Sequence, residues 1–159
     1  KSRSGGQEQT EPQRIICAQT LLNEIDSIRY LNSEAKIIAI GDLNDEPENK
    51  SIFETLKANN SNEPGTLTNL MLPLSKKGLG THSYRGEWNA LDNIIVSNTL
   101  INNQKGYHVL NAEAHIFSPD WITFTSKQGY KSPNRTYGGN NYYGGYSDHY
   151  PVYIILQKK

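Results

Sequence analysis

The stretch that decides the fold is Lys36-Ile-Ile-Ala-Ile-Gly-Asp-Leu-Asn-Asp45, an apolar run that ends in acid and amide side chains. The consecutive apolar residues 37–40 predict a short strand that is buried on both faces. Gly41 permits a tight turn, and Asp42 and Asn44, two residues apart, can project to the same side of the strand's end. A carboxylate and an amide there could bind a metal, orient a water or hold a phosphate oxygen. A plain Asp-rich turn is the equally favoured alternative, because Asp and Asn hydrogen-bond to their own backbone.

The composition predicts one domain with a small core. Hydrophobic residues make up 35% of the 159 residues. Sixteen basic residues balance sixteen acidic ones, so no overall field favours nucleic acid or an anionic membrane, and a nuclease would need a local basic patch. Cys17 is the single cysteine, which excludes an internal disulfide and a cysteine-based zinc site and leaves the redox compartment open. No stretch has the length of a membrane span, and no signal peptide is visible.

Two helices are predicted, one before this strand in the sequence and one after it. In the first, Pro12 is expected to be the first helical residue, with Thr10 or Glu11 as its cap. The second is shorter and is expected to run from Pro47 to about Ala58. The apolar positions of the first recur at helical spacing and are expected to cover a sheet; they are Ile15, Ala18, Leu21, Leu22, Ile25, Ile28 and Leu31.

Further strands downstream complete an α+β or α/β pattern without internal repeats, with a mainly antiparallel or mixed sheet covered by the two helices. Residues 81–85 predict a strand that turns at Gly86 and pairs with a second strand at 91–96. The run 150–156 predicts a last strand, with Pro151 at its start or edge. Residues 131–145 are rich in Tyr, Asn and Gly, too polar for a core and too aromatic for an idle linker.

Acids lie at the ends of three predicted strands: Asp42, Asp92 and Asp148. Asp148 and His149 are neighbours on an extended chain, so their side chains point apart and reach different partners. Those partners would be a cation for the carboxylate and a reacting oxygen for the imidazole. The alternative is a capped turn and a hydrogen-bonded surface histidine.

In their order along the chain, these motifs resemble the endonuclease/exonuclease/phosphatase superfamily, which includes deoxyribonuclease I-like nucleases, neutral sphingomyelinases and inositol polyphosphate 5-phosphatases. The motifs are Gly-Asp-x-Asn at 41–44, Leu-Asp-x-Ile at 91–94 and Ser-Asp-His at 147–149. The resemblance implies half of a four-layer α/β sandwich. Residues 1–159 would be the carboxy-terminal part of the domain, without its amino-terminal half.

The resemblance also implies a role for each site residue. Asp42 would position or deprotonate the attacking water, and Asn44 would hold the phosphate and that acid. His149 would bind a phosphoryl oxygen, and Asp92 would hydrogen-bond to this histidine and set its tautomer. Asp148 would be a carboxylate of a site for Mg²⁺ or Mn²⁺. We therefore predict that Asp92 and His149 lie within hydrogen-bond distance of each other.

The predicted function is metal-dependent hydrolysis of a phosphodiester or phosphomonoester by direct attack of water. Tyr84, Arg85 and Trp88 could line the substrate groove, although a core role is equally favoured for Trp88. The substrate could be nucleic acid, but a small or lipid-like phosphoester fits at least as well. A non-catalytic binding module that keeps the fold is the alternative. The isolated chain is expected to show negligible turnover, and to self-associate or pair with the missing half.

Overall fold

The computed structural model describes residues 1–84, 86–102 and 105–159, which form a mixed α/β fold with antiparallel sheets and few helices. The helical segments are α1 (Gln7–Leu31), a π-helical turn (Ser51–Thr55), α2 (Leu72–Ser75), α3 (Thr99–Asn102) and a 3₁₀ turn (Asp120–Ile122). The strands are β1 (Ile38–Asp42), β2 (Leu67–Asn69), β3 (His82–Tyr84), β4 (Glu87–Asn89), β5 (Asp92–Ser97), β6 (Tyr107–Ile116), β7 (Thr123–Thr125), β8 (Lys131–Pro133), β9 (Tyr137–Gly138), β10 (Asn141–Tyr142) and β11 (Val152–Lys158). The predicted class, mixed and mainly antiparallel, is confirmed, whereas the four-layer sandwich stays a prediction.

The core is organised on both faces of β5, the middle strand of an antiparallel sheet in the order β1-β5-β2. Alternate side chains of a strand point to opposite faces. Ile95 packs with α1 and the π-helical turn on one face. Ile94 and Val96 pack with the antiparallel pair β6–β11 on the other. The strand buried on both faces is therefore β5.

The expectation of burial on both faces is wrong for β1. This strand is hydrogen-bonded to β5 along one side, and its outward side chains Ile38 and Ile40 are 39% and 58% exposed. The apolar run that predicted burial therefore contributes one face to the core and presents the other to solvent.

Helix α1 has the predicted apolar stripe but a different start. It begins at Gln7, so Pro12 lies inside it and does not open it. Pro12 leaves the Glu8 carbonyl without its helical N–H donor. The Arg14 guanidinium donates to the neighbouring Gln7 carbonyl at 2.9 Å and helps to hold this turn. Ala18, Leu22 and Ile25 are buried as expected, whereas Ile28 and Leu31 are exposed.

The second predicted helix is wrong in extent, so the sheet is covered by one long helix and not by two. Within residues 47–58 the regular structure is the π-helical turn, in which the Leu56 N–H donates to the Ser51 carbonyl at 3.0 Å. Lys57 then adopts a positive φ of 59°, which ends the helical path. Ile52 and Leu56 nevertheless pack in the core, whereas Phe53 is exposed.

The predicted pairing of residues 81–85 with 91–96 is also wrong. Gly86 has a φ of 88° and returns the chain at once, so β3 pairs with β4. β5 follows β4 and pairs with β1 and β2 instead. Among the described residues, no helix is both long and apolar enough to cross a membrane.

Candidate active site

Asp42 and Asp92 lie opposite each other on adjacent strands of the central sheet. They are paired positions in the register of β1 against β5, at the end of β1 and the start of β5. The Asp42 carboxylate accepts a hydrogen bond from the backbone N–H of Asn44 at 2.8 Å. Asn44 has a φ of 55°, a left-handed conformation that Asn tolerates better than most residues. The turn thus holds Asn44 beside the Asp42 carboxylate at the end of β1.

A buried ion pair fixes the chain just after this turn. Arg14 of α1 lies 2.7 Å from the Asp45 carboxylate, and both side chains are almost fully buried. The Ser51 hydroxyl donates to the same carboxylate at 2.6 Å, and Arg3 donates to the Asn44 backbone carbonyl at 2.8 Å. Asp45 therefore has a structural role that ties the acidic turn to α1 and to the π-helical turn.

Asp92 and His149 form the central contact of the site. The Nδ1–H of His149 donates to Asp92 Oδ2 at 2.6 Å, and the two side chains are 16% and 21% exposed. The buried Thr81 hydroxyl donates to the same oxygen. The backbone N–H of Tyr150 donates to the Thr81 carbonyl at 2.9 Å, which holds the His149 segment beside β3. The predicted contact is present, although the residues are 57 positions apart.

The hydrogen bond that His149 donates to Asp92 is the largest cause that raises the pKa of His149 above its ordinary value of 6.5. Burial opposes this rise, because it disfavours the charged imidazolium. The charges of Asp92, Asp42 and Asp148 add to the rise. The site therefore favours a protonated imidazole on His149, with its second nitrogen, Nε2, not used in the contact with Asp92.

His82 is a site residue that the sequence reasoning missed. Its backbone forms a β-bridge with His149, and the two ring centroids lie 4.8 Å apart. Burial, followed by the charge of His149, lowers the pKa of His82. Thr81 was missed for the same reason: the sequence marks both only as strand residues, and their neighbours come from a distant segment.

Asp148 is exposed and lies beside both imidazoles. Its negative charge raises the pKa of His82 and of His149, and one ligand atom from each of the three residues lies within 4.8 Å of the other two. The backbone N–H of His149 donates to the Ser147 hydroxyl at 3.1 Å, which closes a local turn around Asp148. The structure thus brings a carboxylate, an acid–histidine pair and a second histidine together.

The comparison with family models agrees with this arrangement. The model of the endonuclease/exonuclease/phosphatase family matches residues 1–158. The chain belongs to this family. No curated protein and no solved structure matches it. Membership of the endonuclease/exonuclease/phosphatase family supports a phosphoester hydrolase activity in general, and enzymes of the family generally depend on a divalent metal ion.

The three predicted groove residues have different surroundings. Tyr84 is exposed at the end of β3. Trp88 stacks on the buried Tyr150 with ring centroids 5.6 Å apart, so it packs against the segment that follows His149. Arg85 lies outside the described residues.

Two grooves flank β3 and the polar segment before His149. One has a volume of about 660 Å³, and its lining includes Ser83, Glu87, Phe124, Tyr130 and Lys131. The second, of about 520 Å³, is lined by residues that include Phe124, Asn134, Arg135 and Tyr143. The charge of Arg135, which lines the second groove, contributes to the lowered pKa of His82.

Proposed function

We propose that this chain supplies the water-activating and phosphate-binding residues of a metal-dependent phosphoesterase that hydrolyses a phosphodiester or phosphomonoester. The observation that carries the proposal is the 2.6 Å hydrogen bond between Asp92 and His149, which lies where Asp42 stands opposite Asp92 in the sheet. A base for water and a cationic group for phosphate are the two elements that hydrolysis by direct attack requires.

In this proposal Asp42 accepts a proton from the attacking water or orients that water. Asn44 holds a phosphate oxygen through its side-chain amide. Protonated His149 donates from Nε2 to a phosphoryl oxygen and stabilises the charge that develops there. Asp92 is a positioning residue, because it holds the His149 ring by Nδ1 and favours its charged form. Thr81 fixes the Asp92 carboxylate in turn.

The donor atoms present fit a divalent cation. Mg²⁺ and Mn²⁺ bind through one or two carboxylates together with substrate phosphate oxygens, and Asp148 is an exposed carboxylate beside His149. Asp148 would hold the ion, which when bound would neutralise negative charge on the phosphate.

We further propose that the catalytic domain includes a segment that packs on the open face of β1 and completes the site. The exposed Ile38 and Ile40 support this, because they form an apolar face on the strand that ends in Asp42. The 159-residue chain by itself should then show negligible turnover and should self-associate through this face. Sedimentation of the chain and of an Ile38→Ser, Ile40→Ser variant measures the second point. A wild-type chain that stays monomeric and has full activity would contradict the proposal that a further segment completes the site.

The metal dependence is tested with bis(p-nitrophenyl) phosphate and p-nitrophenyl phosphate on the complete catalytic domain. Hydrolysis should require added Mg²⁺ or Mn²⁺ and should stop after dialysis against a strong chelator, because the cation would neutralise phosphate charge and the Asp148 carboxylate repels the phosphate without it. Asp148→Asn should raise the metal concentration needed for half-maximal rate. The control is Asp120→Asn, since Asp120 is a fully exposed acid. Turnover that survives the chelator would rule out this reaction.

The grooves support a small or lipid-like phosphoester as the substrate, with nucleic acid as the alternative. Their lining combines aromatic rings with single cations such as Lys131 and Arg135, and the formal net charge of the chain is zero. Binding to a nucleic acid backbone instead uses many cations and weakens steeply with salt. A single-stranded oligonucleotide should therefore compete only weakly with hydrolysis of a small phosphoester, and tight competition that weakens steeply between 50 and 200 mM salt would favour nucleic acid.

A further inference from the structure

We propose that His82, Asp148 and His149 form a binding site for a transition-metal ion that prefers nitrogen ligands, with Zn²⁺ as the reference ion. This inference does not rest on the proposed hydrolysis. It concerns an ion of a different class from Mg²⁺ and includes His82, which has no role in the proposed reaction.

The geometry of the three residues is close to that of a metal site. One ligand atom from each lies within 4.8 Å of the others. Bonds of about 2.0–2.2 Å to a tetrahedral ion place ligand atoms roughly 3–4 Å apart. The two rings are already held together, because the backbones of His82 and His149 are bridged and the ring centroids are 4.8 Å apart. The Asp148 side chain is exposed, so its carboxylate can rotate toward the two imidazoles.

Asp92 prepares His149 for this role. Its carboxylate accepts the Nδ1–H at 2.6 Å, so in the neutral imidazole the lone pair is on Nε2. A carboxylate that holds the second nitrogen of a ligating histidine fixes the tautomer and the ring orientation. Thr81 in turn holds Asp92 with its buried hydroxyl. The support that a metal-binding histidine requires is therefore built into β3 and β5.

The donor set selects the class of ion. Imidazole nitrogen suits Zn²⁺, Cu²⁺, Fe²⁺ and Ni²⁺, whereas sites made of carboxylate and water oxygens suit Mg²⁺ and Ca²⁺. Two histidines and one carboxylate leave a fourth position for water or a phosphate oxygen. Such an ion would occupy Nε2 of His149, the atom that the proposed reaction uses for the phosphoryl oxygen.

The first test is a Zn²⁺ titration of the chain, followed by long-range ¹H–¹⁵N NMR of the imidazoles. Cys17 is exposed and its thiolate also binds zinc, so the titration uses Cys17→Ser protein. One equivalent of Zn²⁺ should shift a nitrogen resonance of His82 and the Nε2 resonance of His149. The other two histidines, His108 and His115, serve as internal controls. Equal shifts at all four rings, or none at His82, would overturn the proposal.

The second test removes one ligand while keeping its ring. His82→Phe preserves the aromatic contact with His149 and should weaken Zn²⁺ affinity by tenfold or more in calorimetry. The matched control is His115→Phe, because His115 also stacks on a ring, that of Tyr153, with centroids 4.9 Å apart. Asp92→Asn should weaken binding by roughly tenfold to a hundredfold through loss of the supporting carboxylate. Equal affinities of the His82→Phe and His115→Phe proteins would refute the site; if His82→Phe does not fold, the NMR titration of the Cys17→Ser protein decides.

Discussion

Replacing Asp92 with asparagine removes one negative charge from the centre of the site and keeps the size of the side chain. Asp92 Oδ2 accepts two hydrogen bonds, one from His149 Nδ1–H and one from the Thr81 hydroxyl. The side chains of Asp92 and His149 are 16% and 21% exposed, so solvent screens the contact only in part. The substitution therefore tests how much the charge of Asp92 contributes to holding His149 in place.

The expected loss follows from the two hydrogen bonds. Hydrogen bonds to a charged group contribute about 1.5–3 kcal/mol, and neutral ones about 0.5–1.5 kcal/mol. Losing the charge at both hydrogen bonds should lower the free energy of unfolding by about 2–3 kcal/mol at pH 6. For a chain of this size that corresponds to a Tm lower by roughly 4–12 °C.

The loss should depend on pH with a definite sign. The pKa of His149 is raised in the folded state by its hydrogen bond to Asp92. Its contribution to stability is therefore fully present below the ordinary value of 6.5 and is lost as the pH rises through the folded-state pKa. The difference between wild type and Asp92→Asn should be largest near pH 6 and smaller at pH 9.

Urea unfolding at both pH values, followed by circular dichroism, measures this difference. The control is Asp26→Asn, because Asp26 is 56% exposed in a surface pair with Arg29 at 3.7 Å. Such a pair contributes at most about 1 kcal/mol. Equal losses for Asp92→Asn and Asp26→Asn at pH 6, or a loss at Asp92 that does not change with pH, would refute the reasoning.

Two further predictions follow from the same structure. In an NMR titration His149 should titrate above 6.5, because Asp92 favours its charged form, and His82 should titrate below 6.5, because burial disfavours its charged form; the reverse order would contradict the assigned contacts. Asp45→Asn should lower the free energy of unfolding by about 3–5 kcal/mol, since it leaves the buried Arg14 cation without its partner. Thermal unfolding with Asp120→Asn as the exposed control checks this, and a Tm equal to that of the control would show that the ion pair does not hold the acidic turn.

The spacing of apolar residues predicted correctly which face of a helix is buried. The apolar spacing in α1 identified its buried face at Ala18, Leu22 and Ile25. It could not identify the start of the helix, because Arg14 holds the turn before Pro12 through a partner, Asp45, that lies far along the chain. The prediction of a second helix over residues 47–58 was wrong because local spacing does not show that Lys57 turns the backbone out of the helical path.

Strand pairing and exposure depended on long-range contacts that periodicity does not contain. A run of apolar residues such as 37–40 does not distinguish a strand that is buried on both faces from a half-exposed edge strand such as β1. The contact between Asp92 and His149 was predicted through the family motifs and not through spacing. His82 belongs to none of those motifs, and only the bridge between β3 and the His149 segment places it in the site.

We propose that Asp92 and His149 act as one unit in phosphoester hydrolysis. The most direct test is kcat/KM for bis(p-nitrophenyl) phosphate in the complete catalytic domain, measured for wild type, Asp92→Asn, His149→Ala and the double variant. His149→Ala should lower kcat/KM by roughly a hundredfold or more, and Asp92→Asn by nearly as much. The double variant should be little worse than the poorer single variant, because residues that act as a unit are not additive. Losses that multiply in the double variant, or no loss in either single variant, would contradict the claim.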